Sequence, residues 1–235
     1  DEVIPAGLEP GQDNHVLITR REPLGVVVAV IPFNFPCDLF DQKVAPALLT
    51  GNSVIVKPST DNPLTLCMLT ALLGEAGIPA GVAQIVTGRG SVVGHELCSN
   101  PDVDLVTLTG STAVGIETAE VCAKTLTHTA LELGGNDAFI VMEDGDVDLA
   151  TDELIWGRMY NTGQVCCASK RFLVHKSRVE EFTTKAIEKI SALKKGMPAD
   201  DDTQIGCLIS EKAAIEVERQ VNLTVEQGGK ILLGG

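Results

Sequence analysis

Short apolar runs alternate with longer amphipathic stretches over the first half of the chain. Gly25 to Ile31 is apolar at every position, which is typical of a strand covered on both faces of a parallel sheet. The amphipathic stretch from Pro36 to about Leu49 ends at Gly51, and a second short apolar run, Ser53 to Val56, follows it. These residues predict one strand–helix–strand unit.

The same alternation continues beyond this unit. Asp61 and Asn62, which precede Pro63, are candidate caps of the next helix. Strands and helices then take turns without a repeat or a low-complexity tract, and this order predicts an open, doubly wound α/β sheet. The further strands expected are Val82–Val86, Val103–Leu108, Thr129–Leu133 and Ala138–Met142, and the helices between them run from Pro63 to about Glu75, from Gly90 to about Cys98 and from Gly110 onward.

The two ends of the chain differ from this pattern. Val3-Ile4 and Val16–Ile18 flank the turn-rich stretch Glu9–Asn14, which predicts a hairpin or arm over residues 1–20. Beyond Gly135 the pattern predicts a second, mixed region. Its expected elements are helices near Asp148–Met159, Ser177–Lys194 and Ser210–Glu226, a strand at Phe172–Val174, and another strand that begins at Leu232.

Composition and charge narrow the class of protein. The 235 residues are 44% hydrophobic and 21% charged, which is typical of a globular chain and excludes a disordered polyelectrolyte. Eighteen Lys and Arg against thirty-two Asp and Glu give a net charge of −14, so the protein repels phosphate backbones and no nucleic-acid partner is expected. The longest apolar run, Gly25 to Pro32, is far shorter than the ~20 residues that cross a bilayer, so no membrane span is expected.

The cysteines predict a reducing, cytoplasmic setting. There are seven, an odd number with no recurring spacing. No CxxC pair occurs, and the four histidines form no set with the cysteines at zinc-ligand spacing, so no metal site is expected. Residue 1 is Asp and no charged-then-apolar leader follows it, so a targeting peptide is expected to be absent or already removed.

Four short stretches place a polar or reactive residue at a predicted strand end, where open α/β sheets build their sites. They are Pro32–Pro36, Val56–Thr60, Leu131–Gly135 and Asn161–Cys166. A fifth stretch, Leu108–Gly115, places small residues and backbone N–H groups at a helix N-terminus, which suits a pyrophosphate. In this order the five stretches resemble the NAD(P)-dependent aldehyde dehydrogenase superfamily, from about residue 20 to the end of the chain.

The resemblance implies a Rossmann-like cofactor domain over residues 21–134, followed by an α/β catalytic domain over residues 135–235. The arm at residues 1–20 would serve oligomerisation, and a homo-oligomer, dimer or tetramer, is expected. The family's chains continue to a further glutamate and a further strand, so the catalytic domain is expected to be incomplete at its C-terminal end. Little turnover is expected from this stretch of chain alone.

Cys166 stands in the N-x-G-Q-x-C register of the family nucleophile, with Asn161, Gly163 and Gln164 upstream. The alternative is a buried thiol that acts as a small hydrophobe, which is the usual state of a free cysteine and the one expected for the other six. Gly and Gln make a poor core strand and a good exposed loop, which favours the nucleophile. For Cys167 the resemblance implies no catalytic role: its side chain either packs against neighbours or is a site of unwanted oxidation.

Two polar residues are candidates for the remaining chemistry. Glu132 lies in a predicted strand between Leu131 and Leu133, and a carboxylate desolvated there would suit a general base near neutrality. Its alternative is a strand-end ion pair. Asn34 lies between two prolines and is otherwise a turn residue. The resemblance implies that Glu132 is the base and that Asn34 donates to the oxyanion.

The cofactor implied is NADP or NAD. Gly110 and Ser111 have physical support as well, because a helix start supplies a phosphate site. Lys57 contacts the adenosine ribose in the family and is otherwise an ordinary solvated lysine. Thr60 replaces a Glu of many NAD-preferring relatives, which removes repulsion against a 2′-phosphate, so NADP is expected to be tolerated or preferred. The cofactor-binding residues expected are Phe33, Lys57, Ser59, Thr60, Gly90, Gly110, Ser111 and Leu133.

The reaction implied is oxidation of an aldehyde to a carboxylic acid by NAD(P)+, through a Cys166 thiohemiacetal and a thioester that water hydrolyses. A coenzyme A-dependent acylating enzyme is the first alternative, and Glu132 weighs against it because such relatives generally lack the glutamate. A cofactor-free cysteine hydrolase and a non-catalytic NAD(P)-binding fragment are the others. Asn136–Val141 and Cys167–Arg171 faintly resemble succinate-semialdehyde dehydrogenases, and the aldehyde itself stays open.

Overall fold

The computed structural model describes residues 2–4 and 17–234. The chain divides into two compact units between Glu132 and Leu133. At the start of unit 1, β1 (Glu2–Ile4) pairs antiparallel with β2 (Leu17–Thr19), as a hairpin arm requires. The turn expected at residues 9–14 lies outside the described residues, and the oligomerising role of the arm stays a prediction.

Unit 1 also contains one parallel sheet of five strands, in the order β5-β4-β3-β6-β7. The central strand, β3, is apolar throughout because both of its faces are covered, and Val27, Val28 and Ala29 are buried. Each strand expected in this region is present, with ends that differ by a residue or two. The strands are β3 (Val26–Val30), β4 (Ser53–Lys57), β5 (Ala83–Ile85), β6 (Leu105–Thr109) and β7 (His128–Glu132).

Helices cover both faces of this sheet. Val27 and Ala29 of β3 pack against α1 (Pro36–Leu49) and α2 (Leu64–Glu75). Val28 points to the other face and packs against α3 (His95–Ser99) and α4 (Thr112–Cys122). The doubly wound, Rossmann-like α/β fold expected from the sequence is confirmed. No helix in the described part of the chain is long and apolar enough to cross a membrane.

Unit 2 is built around a pair of parallel strands, β8 (Asp137–Val141) and β9 (Ser169–Val174). Two amphipathic helices, α5 (Val147–Leu154) and α6 (Val179–Ser191), bury one face against these strands, and a last helix, α7 (Glu211–Glu226), follows. The core consists of apolar side chains from all four packed elements: Val141, Val147, Leu154, Phe182 and Ala186, with Phe139 and Phe172 partly buried beside them.

Two local expectations are wrong. Helix α2 has Pro63 at its N-cap and no side-chain cap. The Asn62 Oδ1, the acceptor that a cap needs, accepts from the Thr65 hydroxyl at 3.3 Å, and the Asn62 Nδ2 donates to the Phe33 carbonyl at 3.2 Å. The strand expected to begin at Leu232 is also missing, since residues 231–234 contain only a bend. A strand exists through its hydrogen bonds to a neighbour, and the described strands of unit 2 pair only with each other.

Candidate functional site

The strand order of unit 1 reverses between β3 and β6, which are neighbours in the sheet although β4 and β5 separate them in sequence. Open α/β sheets bind ligands at such a switch point, outside the carboxyl ends of the strands. A cleft of about 460 Å³ lies at this place. Three strand ends line it: Val30–Phe33 after β3, Lys57, Ser59 and Thr60 after β4, and Leu108–Ser111 after β6.

Most of the residues expected to bind the cofactor line this one cleft. Leu133 is the exception, because it belongs to unit 2 and is not part of the lining. The wall between α3 and α4, which includes Cys98, Thr118 and Val121, was missed by sequence reasoning because these residues lie inside helices rather than at strand ends. The expected residues in the lining are Phe33, Lys57, Ser59, Thr60, Gly90, Gly110 and Ser111.

Lys57 is buried at the end of β4, so the alternative of an ordinary solvated lysine is wrong. Its Nζ group donates to the Pro58 carbonyl at 2.8 Å. Burial lowers the pKa of this amine below its usual value. A buried cationic group with donors left over is well suited to hold hydroxyl or phosphate oxygens.

The N-terminus of α4 faces the same cleft. Ser111 caps this helix, and its Oγ accepts from the Val114 N–H at 3.3 Å. The helix dipole places partial positive charge here. Next to it, the Thr109 Oγ1 atom is buried and has no hydrogen-bond partner among the described residues. The helix N-terminus therefore gives the cleft a positive potential, which fits an anionic ligand such as a dinucleotide.

All seven cysteines are free thiols, and only Cys98 and Cys122 are buried. The expectation of burial for every cysteine other than the candidate nucleophile is wrong for Cys37, Cys167 and Cys207, which are exposed. Burial raises the pKa of the Cys98 thiol to about 11, and the Cys122 Sγ lies 3.5 Å from the Cys98 carbonyl oxygen as a donor. These two thiols pack as small hydrophobes.

The two polar candidates of unit 1 lie on different elements. Asn34 is half-buried in the segment between β3 and α1, immediately before the Phe35 N-cap of that helix. Glu132 is the last residue of β7, and its carbonyl accepts from the Gly110 N–H at 3.0 Å. The Glu132 side chain is exposed. The residues of unit 1 therefore do not desolvate the Glu132 carboxylate, although the expectation that Glu132 is a general base assumed such desolvation.

Lys43 is a functional candidate that sequence reasoning missed. It is buried on α1, and its Nζ donates to the Thr107 Oγ1 of β6 at 3.2 Å. Burial lowers the pKa of this amine, and the nearby Glu132 carboxylate raises it by a smaller amount. A signal was present in the sequence, since Phe40, Lys43 and Ala47 lie on the same helical face, which places a lysine in an otherwise apolar stripe.

The lowered pKa of Lys43 predicts a pH dependence of stability. At pH values below the folded-state pKa, Lys43 is charged in both the folded and the unfolded protein, and burying the charge lowers the free energy of unfolding by its full amount. As the pH rises toward 10.5, the folded protein loses this proton before the unfolded chain does, and the destabilisation is relieved. The wild type should therefore gain stability relative to Lys43→Met as the pH is raised from neutrality toward 10.5. Urea midpoints of both proteins measure this, with exposed Lys124→Met as the control. Parallel pH profiles for wild type and Lys43→Met would contradict the assignment.

The candidate nucleophile of unit 2 follows a turn with unusual backbone. Asn161 and Thr162 have φ values of 48° and 56°, a left-handed conformation that is uncommon for Asn and rarer still for a β-branched residue, and Gly163 continues it. The Arg158 Nη1 donates to the Gly163 carbonyl at 3.3 Å. The Gln164 amide donates to the Asn161 carbonyl at 3.2 Å and accepts from the Ile209 N–H at 2.8 Å. This turn leads into Cys166.

Cys166 is exposed, so the alternative of a buried thiol is wrong for this residue. Cys167 is exposed as well, and accessibility alone does not distinguish the two. Among residues 2–4 and 17–234, no group of three or more His, Cys, Asp or Glu side chains is arranged to hold a metal ion. The described residues thus provide a mainly apolar cleft with a few polar groups at the switch point of unit 1, and an exposed thiol on a loop of unit 2.

The sheet order, the cleft at the switch point and the cysteine loop together define a Rossmann-like α/β protein with a candidate cysteine nucleophile. The sequence model of the aldehyde dehydrogenase family matches residues 2–235. The chain belongs to the aldehyde dehydrogenase family.

Individual relatives are similar over nearly the whole chain. A lactaldehyde dehydrogenase of Methanococcus maripaludis is 40% identical over 95% of this chain and 48% of its own length. A D-glyceraldehyde dehydrogenase (NADP(+)) of Picrophilus torridus is 41% identical over 97% of this chain and 46% of its own length. The crystal structure of an NADP dependent enzyme of E. coli has 37% identity and a TM-score of 0.94, over 100% of this chain and 48% of that one. The chain thus spans about half the length of these relatives.

Proposed function

We propose that the full-length protein is an oxidoreductase that oxidises an aldehyde to a carboxylic acid with NADP or NAD. The observation that carries this proposal is the cleft at the β3/β6 switch point, which gathers seven residues expected at a dinucleotide, in a chain of the aldehyde dehydrogenase family. The test is an assay of the full-length protein on a panel of aldehydes with each cofactor. Absence of aldehyde-dependent reduction of both cofactors across the panel would refute the proposal.

In the proposed reaction the Cys166 Sγ attacks the aldehyde carbon, and the oxyanion that forms accepts hydrogen bonds from the Asn34 amide and the Cys166 N–H. Bound NAD(P)+ supplies a two-electron hydride acceptor. The oxidised substrate is then a thioester of Cys166. Glu132 takes a proton from the water that attacks this thioester, and the carboxylic acid leaves as the Cys166 thiolate is restored. The exposed Cys166 supports the first of these roles.

In this proposal the cofactor would be held by groups of this chain that line the cleft. The positive end of α4 suits the pyrophosphate. Lys57, which is buried and lines the cleft, would donate to ribose hydroxyls. The wall of Cys98, Thr118 and Val121 between α3 and α4 is largely apolar and suits a flat base.

Thr60 predicts the choice between the two cofactors. Its Oγ1 lies 3.4 Å from the Gly88 carbonyl oxygen at the exposed rim of the cleft, where a carboxylate would repel a 2′-phosphate. NADP should therefore bind no more weakly than NAD, and Thr60→Glu should shift the ratio of dissociation constants toward NAD by ~10-fold, or ~1.4 kcal/mol.

Isothermal titration of the full-length protein with both cofactors measures the ratio, and Thr60→Gln serves as the control because it adds the bulk of Glu without the charge. A wild-type preference for NAD of more than ~10-fold would overturn this assignment. An equal shift in the Gln variant would show that size, rather than charge, decides the preference.

Assays of the same full-length protein also test two alternative functions. An acylating enzyme would require coenzyme A for turnover, and a non-catalytic binding protein would bind NADP in a titration without oxidising any aldehyde. We also propose that the full-length protein is a homo-oligomer, either a dimer or a tetramer, and that it is located in the cytoplasm. Sedimentation velocity and fractionation of cells test these two proposals separately from the activity.

A further inference from the structure

Lys170, the second residue of β9, reaches back over the loop that carries Cys166. Its Nζ donates to the carbonyl oxygens of Cys166 and Ala168, both at 3.0 Å, and to that of Val165 at 3.5 Å. An ammonium group has three N–H donors and no acceptor, so these three carbonyls match its full capacity. All four residues belong to unit 2.

The two shorter of these contacts join a full positive charge to neutral carbonyls, and such charge-assisted bonds are stronger than bonds between neutral groups. The same backbone passes close to Gly135. A Cβ added there would lie 2.8 Å from the Asp137 Oδ1 and 3.3 Å from the Cys166 carbonyl oxygen, so a larger residue at this position would crowd that carbonyl.

These contacts set both peptide planes that flank the Cys166 Cα. A trans peptide is planar, so the N–H of one residue points opposite to the carbonyl of the residue before it. Because the Val165 carbonyl points toward Lys170, the Cys166 N–H points away from it, and the same holds for the Cys166 carbonyl and the Cys167 N–H. With both planes set, the direction of the Cys166 Cα–Cβ bond is set as well.

We propose that Lys170 is a positioning residue for the nucleophile: by binding the carbonyls on one side of the loop, it presents the Cys166 N–H and side chain on the opposite side. This inference rests on the proposed function, in which the Cys166 thiol attacks and its N–H donates to the oxyanion. Lys170 itself touches no reacting atom. A displaced nucleophile loses rate in the chemical step while substrate and cofactor binding are retained.

The test compares wild type with Lys170→Met in the full-length protein, with the exposed Lys176→Met as a matched control. In Lys170→Met the burst rate of NAD(P)H formation should fall by ~10- to 10²-fold, while the KM for the aldehyde and the dissociation constant for NADP stay within ~2-fold. Hydrogen–deuterium exchange should become faster in the peptide that spans residues 163–168. Lys176→Met should change neither the burst rate nor the exchange rate of this peptide.

The outcomes separate the two ideas. If the wild type oxidises no aldehyde, the proposed function fails, and the exchange measurement alone decides whether Lys170 holds the loop. If Cys166 is required for turnover but the burst rate of Lys170→Met equals that of the wild type, the positioning role is overturned and the proposed function stands. Unchanged exchange at residues 163–168 also overturns it, and so does a rise in KM with an unchanged burst rate.

Discussion

Cys166→Ala is expected to lower aldehyde oxidation by the full-length protein by ~10³-fold or more, because the proposed nucleophile of the covalent intermediate is then missing; nucleophile deletions in a well-studied protease reach about 10⁶. Cys167→Ala is the matched control, since this neighbouring thiol is also exposed but lies outside the N-x-G-Q-x-C register. It should leave turnover within ~3-fold of the wild type, as expected for a residue that contacts no reacting atom. Initial rates with saturating cofactor measure both variants.

Alkylation provides an independent version of this experiment. Iodoacetamide reacts with thiolates, so Cys98, whose pKa burial raises to about 11, should be labelled last at pH 8, together with the buried Cys122. Loss of activity should follow the labelling of Cys166 in a peptide map. If activity instead falls in step with Cys167 or Cys98, the nucleophile has been assigned to the wrong residue.

Glu132→Gln is expected to permit one rapid turnover of cofactor and then stall. The hydride step does not need the carboxylate, so a burst of NAD(P)H equal to the concentration of sites should appear. Hydrolysis needs a base for the attacking water, and the steady-state rate should fall by ~10²-fold or more, the scale of a positioned general base. Rapid-mixing absorbance at the reduced nicotinamide band records both phases, and acid-quenched mass spectrometry should find the acyl group on Cys166.

The exposed Glu120→Gln on α4 is the control for this variant and should show neither the burst nor the stall. A steady-state rate of Glu132→Gln equal to that of the wild type, without coenzyme A, would exclude the base assignment. A stall relieved by added coenzyme A would show that the thioester forms and that only its reaction with water has been lost.

Much of the fold could be predicted because its physical signals are local. The uninterrupted apolar run of β3 needs no knowledge of its neighbours, since a short run rich in β-branched residues is typical of a strand covered on both faces. The alternation of strands and helices then restricts the topology, because crossovers between parallel strands are almost always right-handed. The strand ends were expected to carry the chemistry on the same logic, and the family resemblance then named individual residues, seven of which line one cleft.

Other features depend on groups that meet only in the folded chain. Asn62 stands where a helix cap is expected, yet its amide donates to the Phe33 carbonyl of another segment. Lys43 is buried on α1 and donates to Thr107 of β6, a partner that a helical pattern does not reveal. The burial of each thiol also depends on which helices pack over it, as at Cys98 and Cys122 between α3 and α4.

The sequence by itself determined the α/β class, the order of the strands along the chain and the register of the cysteine motif, because periodicity and motif spacing are properties of neighbouring residues. Only the tertiary structure decided that Lys57 is buried in the cleft, that the Glu132 side chain is exposed and that the Lys170 ammonium binds three carbonyls around Cys166. Solvation and hydrogen bonding of a polar side chain depend on everything packed around it, and the linear sequence does not specify which segments those are.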